Sequence, residues 1–252
     1  MPSSPARLFA PLLAATAVAA CPVPGAAAEE GAEASLRRRL YFYTGVDIAR
    51  DSGYGWGGMA WAPFAPMDRE GLRLRTQAGG GHYDYRTQAV ADGWNSVDKT
   101  DGEVLLGWQF MRGPHALALY AGVNIIDNRL DTPDPGNRDA GTHWGGKAVV
   151  EWFYRLDERW TLTASLSGST ADGSVSGRAT AAWRAFPWLD LGVEAGATSD
   201  WPDESARLGL FLACPLRSGE WLNWELRAAA GWNWSGDSDD SPYGTLSLFI
   251  PF

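Results

Sequence analysis

The sequence predicts an all-β fold, an antiparallel up-and-down transmembrane β-barrel of about twelve strands closed by an aromatic C-terminal strand. Three observations predict it. From Leu40 onward, stretches of roughly ten residues alternate apolar and polar side chains, and the i, i+3, i+4 spacing of an amphipathic helix is nowhere sustained. Short and long connections alternate, as in barrels whose periplasmic turns are tight and whose outer loops are long. Aromatic residues gather at segment ends, at Trp61, Trp144, Trp160, Trp183, Trp188, Trp221, Trp232 and Trp234, where the girdles of such barrels sit.

Each segment follows from this alternation in turn. Leu40–Ala49 and Ser52–Trp61 are joined at Arg50-Asp51. In Leu72–Tyr85, Leu72, Leu74, Thr76 and Ala78 fall on one face, and Arg73, Arg75 and Gln77 on the other. A long loop, Arg86–Thr100, leads to Asp101–Met111, and the turn Arg112-Gly113-Pro114 leads on to His115–Ile126. After the loop Asp127–Thr142 come His143–Leu156 and, past Asp157-Glu158-Arg159, Trp160–Ser169. That last segment sets Trp160, Leu162, Ala164 and Leu166 against Thr161, Thr163, Ser165 and Ser167. Val175–Phe186 and Trp188–Thr198 flank the turn Phe186-Pro187-Trp188, and Leu189, Leu191, Val193 and Ala195 oppose Asp190, Gly192, Glu194 and Gly196. Ala206–Cys214, Trp221–Trp234 and Tyr243–Phe252 complete the set, the last with Leu246, Leu248, Ile250 and Phe252 on one face. One face suits lipid and the other suits water, and an even, closed set of strands leaves no edge for a bilayer to solvate.

Residues 1–28 read as a secretory signal, with Arg7 in the n-region, an apolar stretch from Leu8 to Ala20, and Ala26-Ala27-Ala28 before Glu29. A rival cleavage lies before Cys21, where Val18-Ala19-Ala20-Cys21 resembles a lipoprotein box. Residues 29–39 are expected to be a short periplasmic segment, and residues 40–252 the outer-membrane barrel domain. With the leader removed, Cys214 is a lone thiol, so no disulfide framework is expected.

The 252 residues carry 14 Trp and 30 Gly, are 45% hydrophobic and 20% charged, and have a net charge of −9. That composition argues against disorder, and the acidity argues against nucleic acid as a partner. If the N-terminus is periplasmic, the loops near 50–51, 86–101, 127–142, 170–174, 199–205 and 235–242 lie outside the cell. Together they hold 15 acids and 5 bases, a balance of −10. That rim reads either as a solvated face or as a surface bridged to lipopolysaccharide by divalent cations, with outer-membrane lipid and lipopolysaccharide as the expected surroundings. The inward positions mix bases (Arg73, Arg75, Lys147, Arg155, Arg178, Arg184, Arg207, Arg227) with acids (Asp47, Glu103, Glu151, Asp190, Glu194, Glu225). Such an interior either fills the lumen with ion pairs that brace the barrel or lines a narrow polar passage.

No motif points to catalysis, a cofactor or a metal. His82, His115 and His143 are the candidate bases of a barrel-embedded lipid hydrolase, but no serine stands beside His82 in sequence, His115 starts a strand at a periplasmic turn and His143 ends a long loop, so each reads as an interfacial residue. Asp237, Asp239 and Asp240 offer oxygen ligands without an EF-hand frame, and Gly236-Asp237-Ser238 stands without the rest of an esterase pattern. Tyr41, Tyr43, Tyr83, Tyr85 and Tyr120 fall on the inward face, where such rings either fill space at the lumen ends or stack against sugar rings.

Several stretches carry a more specific likeness: YTGVDIARDSGYGWGGMAWAPF (Tyr43–Phe64), EVLLGWQFMRG (Glu103–Gly113), LYAGVNIIDNRLDTPDPGN (Leu119–Asn137), WGGKAVVEWFYRLDERW (Trp144–Trp160) and YGTLSLFIPF (Tyr243–Phe252). With their spacing they resemble the cellulose biosynthesis protein BcsS family of alphaproteobacterial type. The resemblance implies a role accessory to cellulose production or secretion at the outer membrane, with glucan chains or the secretion machinery as partners, and it carries over no catalytic residue. The competing expectations are a small porin-like channel unrelated to cellulose, a lipid A-modifying enzyme, and a soluble Trp-rich glycan-binding sandwich.

Overall fold

The computed structural model describes residues 38–251 apart from 92, 201–202, 219–221 and 237; the leader, Trp221, Asp237 and Phe252 lie outside the described residues. Twelve strands follow one another: β1 (Leu40–Ala49), β2 (Ser52–Trp61), β3 (Gly71–Arg86), β4 (Trp94–Arg112), β5 (His115–Leu130), β6 (Gly141–Arg155), β7 (Trp160–Ser169), β8 (Val175–Phe186), β9 (Leu189–Asp200), β10 (Asp203–Ser218), β11 (Leu222–Ser235) and β12 (Ser241–Pro251). Each pairs antiparallel with its sequence neighbours, and β1 pairs with β12 from Tyr41↔Pro251 to Ala49↔Tyr243, so the sheet closes on itself. The described strands therefore form the predicted all-β barrel with no open edge.

Strand lengths depart from the sequence reading in an instructive way. The expected loop Arg86–Thr100 is mostly ladder, because β3 and β4 stay paired from Gly71↔Gln109 to Arg86↔Trp94 and leave only residues 87–93 between them. Hydrophobic alternation cannot show this extension: its outward positions Ser96, Asp98 and Thr100 are polar, as they must be beyond the apolar band. Two side chains assigned to the exterior, Lys99 and Asp101, consequently share the inward face with Glu103. The long–short alternation of connections is also incomplete. Residues 62–70, at the terminal end where β1 begins and β12 ends, form a longer link than residues 50–51 at the opposite, distal end.

The outward face carries the apolar side chains. On β4, Val104, Leu106, Trp108 and Phe110 are exposed, as are Leu208, Leu210 and Leu212 on β10. A soluble sandwich would bury such a continuous apolar belt, whereas a bilayer solvates it. Trp61, Trp108, Trp160, Trp183 and Trp188 stand near the terminal end, and Trp144, Trp232 and Trp234 near the distal end, all exposed. They form the two girdles.

Inside, glycines let aromatic rings lie along the wall. A Cβ at Gly192 would stand 2.3 Å from the Phe211 ring, and one at Gly45 would stand 2.5 Å from the Trp56 ring. Both are inside van der Waals contact, so glycine is required where a ring crosses the neighbouring strand. Two small apolar patches, Leu105–Ala118–Tyr120–Val149 and Phe211–Ala213–Ala229, line the lumen towards the terminal end.

Candidate functional site in the polar lumen

Strand parity sends the predicted charged residues inward, where two clusters of them join non-adjacent strands across the barrel. In the first, Arg75 (β3) contacts Glu151 (β6) at 2.6 Å and Glu103 (β4) at 3.3 Å, while Lys147 (β6) contacts Glu103 at 2.5 Å. Arg75 also donates to the Tyr43 hydroxyl at 3.1 Å and lies within 6.0 Å of the Tyr120 ring centroid. In the second, Glu194 (β9), 1% exposed, accepts from Arg178 (β8) at 2.6 Å, from Arg227 (β11) at 2.5 Å and from the Tyr243 hydroxyl (β12) at 2.8 Å. The Arg227 guanidinium lies 3.6 Å from the Phe211 ring centroid, which gives the cation a π-face in addition to its carboxylate. A buried carboxylate between two guanidiniums and a phenol is fully occupied, and this is what makes its burial tolerable.

The clusters stand between two cavities. The distal vestibule, about 570 Å³, is bounded by Glu103, Lys147 and Arg178, and the lower cavity, about 340 Å³, by Glu151, Arg178 and Arg227. Ser165 and Arg178 border both. The vestibule wall holds four acids (Asp47, Asp101, Glu103, Asp172) and four bases (Lys99, Lys147, Arg178, Arg207), so its formal charge is zero. Asp47 meets Arg207 at 3.4 Å, and Ser165, Ser167, Gln77, Asn124 and Asn233 add hydroxyls and amides to the wall beside Ile126 and Ala197. Two rings complete it. Tyr54 and Trp56, both on the inward face of β2, are stacked at 6.2 Å with 19° between their planes, and the Tyr54 hydroxyl donates to Asp101.

The five tyrosines singled out in the sequence all face inward, but they do not share one surface. Tyr41, Tyr43 and Tyr120 gather around Arg75 towards the terminal end, with Tyr41 also 5.0 Å from Phe249. Tyr83 and Tyr85 stand at the distal end, 6.5 Å apart. There Tyr85 donates to Asp134 at 2.9 Å and accepts from Asn95 at 3.2 Å, tying the 131–140 loop to β3 and β4. Tyr54 and Trp56 escaped sequence reasoning because Ser52–Trp61 is rich in glycine and its apolar residues occur on both faces. The usable signal was the i, i+2 pair opposite Gly45 and Gly79.

The histidines occupy three different settings. His82 faces outward beyond the apolar belt, with Asp98 at 3.0 Å and Asp84 at 3.2 Å. Strand pairing does bring a serine near, since Ser96 donates to Asp84 at 2.6 Å. The acid thus lies between serine and imidazole, the reverse of the order in which a histidine takes a serine proton. His115 stacks on Tyr154 at 4.2 Å as part of the terminal girdle, and His143 contacts the Ala140 carbonyl at 3.1 Å. Of the acidic trio, Asp239 is paired with Arg86 and with Arg50, and Asp240 accepts from the Ser235 amide at 3.2 Å.

Residues 41–252 match the family described as cellulose biosynthesis protein BcsS. The chain belongs to that family. Among solved structures this BcsS-family barrel is similar to an outer-membrane channel of the COG4313 group from Pseudomonas putida F1, with a TM-score of 0.55 and 12% identity over 85% of this chain and 95% of that one. It is also similar to the KdgM porin, with a TM-score of 0.51 and 4% identity over 84% of this chain and 99% of the porin. The β domain of the Bordetella autotransporter BrkA gives a TM-score of 0.50 and 11% identity over 85% of this chain and 99% of that domain. At such identities the likeness is one of fold, that of outer-membrane barrels. No curated protein matches the sequence.

Proposed function

We propose that this BcsS-family barrel is a non-enzymatic outer-membrane protein that assists the production or secretion of cellulose, exported by its N-terminal signal and oriented with both termini in the periplasm. Membership of the family carries the reading. In this orientation the neutral vestibule opens towards the cell exterior, where glucan emerges, and the braced ion-pair layer beneath it keeps the barrel rigid. The serine–acid–histidine order at His82 supports a non-enzymatic role. The test is extracellular cellulose from a strain lacking the gene, with the intact gene restored in parallel. Loss with restoration supports the role; unchanged cellulose sinks it.

A second reading, a narrow polar passage, draws on one observation: Ser165 and Arg178 border both the vestibule and the lower cavity. Single-channel recording from the purified protein in planar bilayers decides it. A steady conductance without any cellulose machinery supports a passage, and silence supports a closed brace.

A further inference from the structure

We propose that the Tyr54–Trp56 wall of the distal vestibule is a binding subsite for an extended, neutral, β-linked glucan segment. The inference deepens the cellulose reading and rests on it for the identity of the sugar.

Four features of the site point there. The first is a flat apolar platform. The Trp56 indole lies over Gly45 and the hydroxyl end of Tyr54 over Gly79, so both side chains lie close along the wall, and both line the vestibule. Their planes differ by only 19°, and the rings reach over opposite neighbours of β2, Trp56 over β1 and Tyr54 over β3, so the platform runs across the strand without a sharp bend between its planes. β-1,4-linked hexopyranoses form a ribbon with flat, C–H-bearing faces, whereas α-1,4-linked chains curl away from such a platform; desolvating those faces on indole and phenol is the favourable term. The second is a carboxylate beside the platform: Asp101 holds the Tyr54 hydroxyl and lines the same cavity, an acceptor for sugar hydroxyls at the ring edge. The third is charge. Four acids face four bases around the vestibule, and pairs such as Asp47–Arg207 and Lys147–Glu103 cancel one another, so the site selects a polyhydroxyl ligand rather than an ion. The fourth is an unmet acceptor. Asn124 lines the vestibule at 5% exposure and donates to Ser169 at 3.0 Å, but its carbonyl oxygen accepts from no described residue. The volume, about 570 Å³, falls within the range of about 300–1,000 Å³ typical of small-ligand sites.

The experiment is calorimetric titration of the purified full-length protein in detergent micelles with cellohexaose, and with maltohexaose as the α-linked comparator. Folding of each variant is confirmed by heat-modifiable migration on gels. The expected result is binding of cellohexaose over maltohexaose, weakened about tenfold by Trp56→Ala, which is the affinity loss of about 1.4 kcal/mol. If Trp56→Ala fails to fold, Trp56→Leu, closer in volume, takes its place. No binding of cellohexaose to the wild type, equal binding of both sugars, or undiminished binding by the folded variant overturns the subsite. The cellulose output of the deletion strain is read separately. A secretion defect without oligosaccharide binding removes the subsite alone, and oligosaccharide binding without a secretion defect removes the cellulose role alone.

Discussion

Arg75 on β3 donates to Glu151 on β6 at 2.6 Å, and at a sequence separation of 76 the pair forms a chord through the lumen rather than a rung between adjacent strands. Glu103 and Lys147 extend that chord, so the four groups alternate in sign. Arg75→Ala leaves Glu103 with Lys147 alone and Glu151 without a cation, and removes the largest side chain of the four. The expected outcome is a rise in single-channel conductance and in cation preference, with a stability loss of about 1–3 kcal/mol. That is less than for a dry pair, because Glu151 is over a third exposed. Arg75→Ala with Glu151→Ala should recover part of the stability but none of the closure. An unchanged conductance in Arg75→Ala would show that the layer does not gate the lumen.

Glu194 presents the opposite case, a carboxylate with almost no access to water that joins β8, β9, β11 and β12. Removing it leaves Arg178 and Arg227 facing each other without compensation. Glu194→Ala is expected to cost about 3–5 kcal/mol, the usual consequence of stranding buried charge, read as a lower urea midpoint for loss of heat-modifiable migration. Glu194→Gln keeps the shape and an acceptor but loses the charge, and should fall between the variant and the wild type.

The strand count and inward parity were legible in the sequence because a half-lipid, half-aqueous wall forces period-two alternation. Arg75, Glu103, Arg178 and Glu194 could be placed inside from that rule alone. Which of them meet could not be read, since a chord such as Arg75–Glu151 depends on barrel closure and strand stagger, which no local pattern encodes. The same rule failed above the apolar belt, where outward residues turn polar and the ladder from Trp94 to Thr100 looks like a loop. It also hid Tyr54 and Trp56, whose placement depends on glycines in neighbouring strands.

Gly45 offers a way to perturb the platform without touching it. A Cβ there would come within 2.5 Å of the Trp56 ring and meets nothing else that close. Gly45→Ala should therefore push the indole off the wall at a cost of about 1–3 kcal/mol, as for other overpacked sites. The protein should still show heat-modifiable migration, with altered tryptophan emission and weakened cellohexaose binding. Binding equal to that of the wild type would mean that the orientation of the Trp56 ring does not matter.

At the distal rim, Asp134 clasps two loops. It accepts from the Thr87 hydroxyl at 2.6 Å, from the Gly136 amide at 2.9 Å and from Tyr85 at 2.9 Å. These bonds, that from Thr87 foremost, hold its carboxyl below the usual carboxylate range. A depressed folded value means that the clasp contributes fully above the unfolded value of about 3.9, and that its contribution is lost as pH falls through the folded value. Amide exchange in residues 87–93 and 131–140 should thus accelerate below about pH 4 beyond the intrinsic trend. Asp134→Ala should exchange fast at every pH. A wild type with flat protection across that window would refute the clasp.

At the terminal end the 62–70 link is held by a different device, a buried cation without a carboxylate partner among its hydrogen bonds. Arg73 is 1% exposed, and its guanidinium donates to the carbonyls of Leu72 at 2.9 Å, Met67 at 3.3 Å, Pro66 at 3.4 Å and Arg69. Gln109 adds a bond to the Met67 carbonyl at 2.8 Å, and Arg39 one to Pro63 at 3.0 Å. Backbone dipoles thus replace a counter-ion, and only a planar fork of donors reaches several carbonyls at once. Arg73→Lys keeps the charge but loses that geometry, and Arg73→Ala leaves the carbonyls unmet at about 1–3 kcal/mol for each one that stays buried. In both variants residues 62–70 should release from the rim while the barrel persists. A protease added to the purified protein should then cut within that segment, faster in Arg73→Ala than in Arg73→Lys, and leave heat-modifiable migration of the joined fragments intact. If both variants resist cleavage as the wild type does, the link is held by its backbone bonds to Arg38 and Arg39 instead.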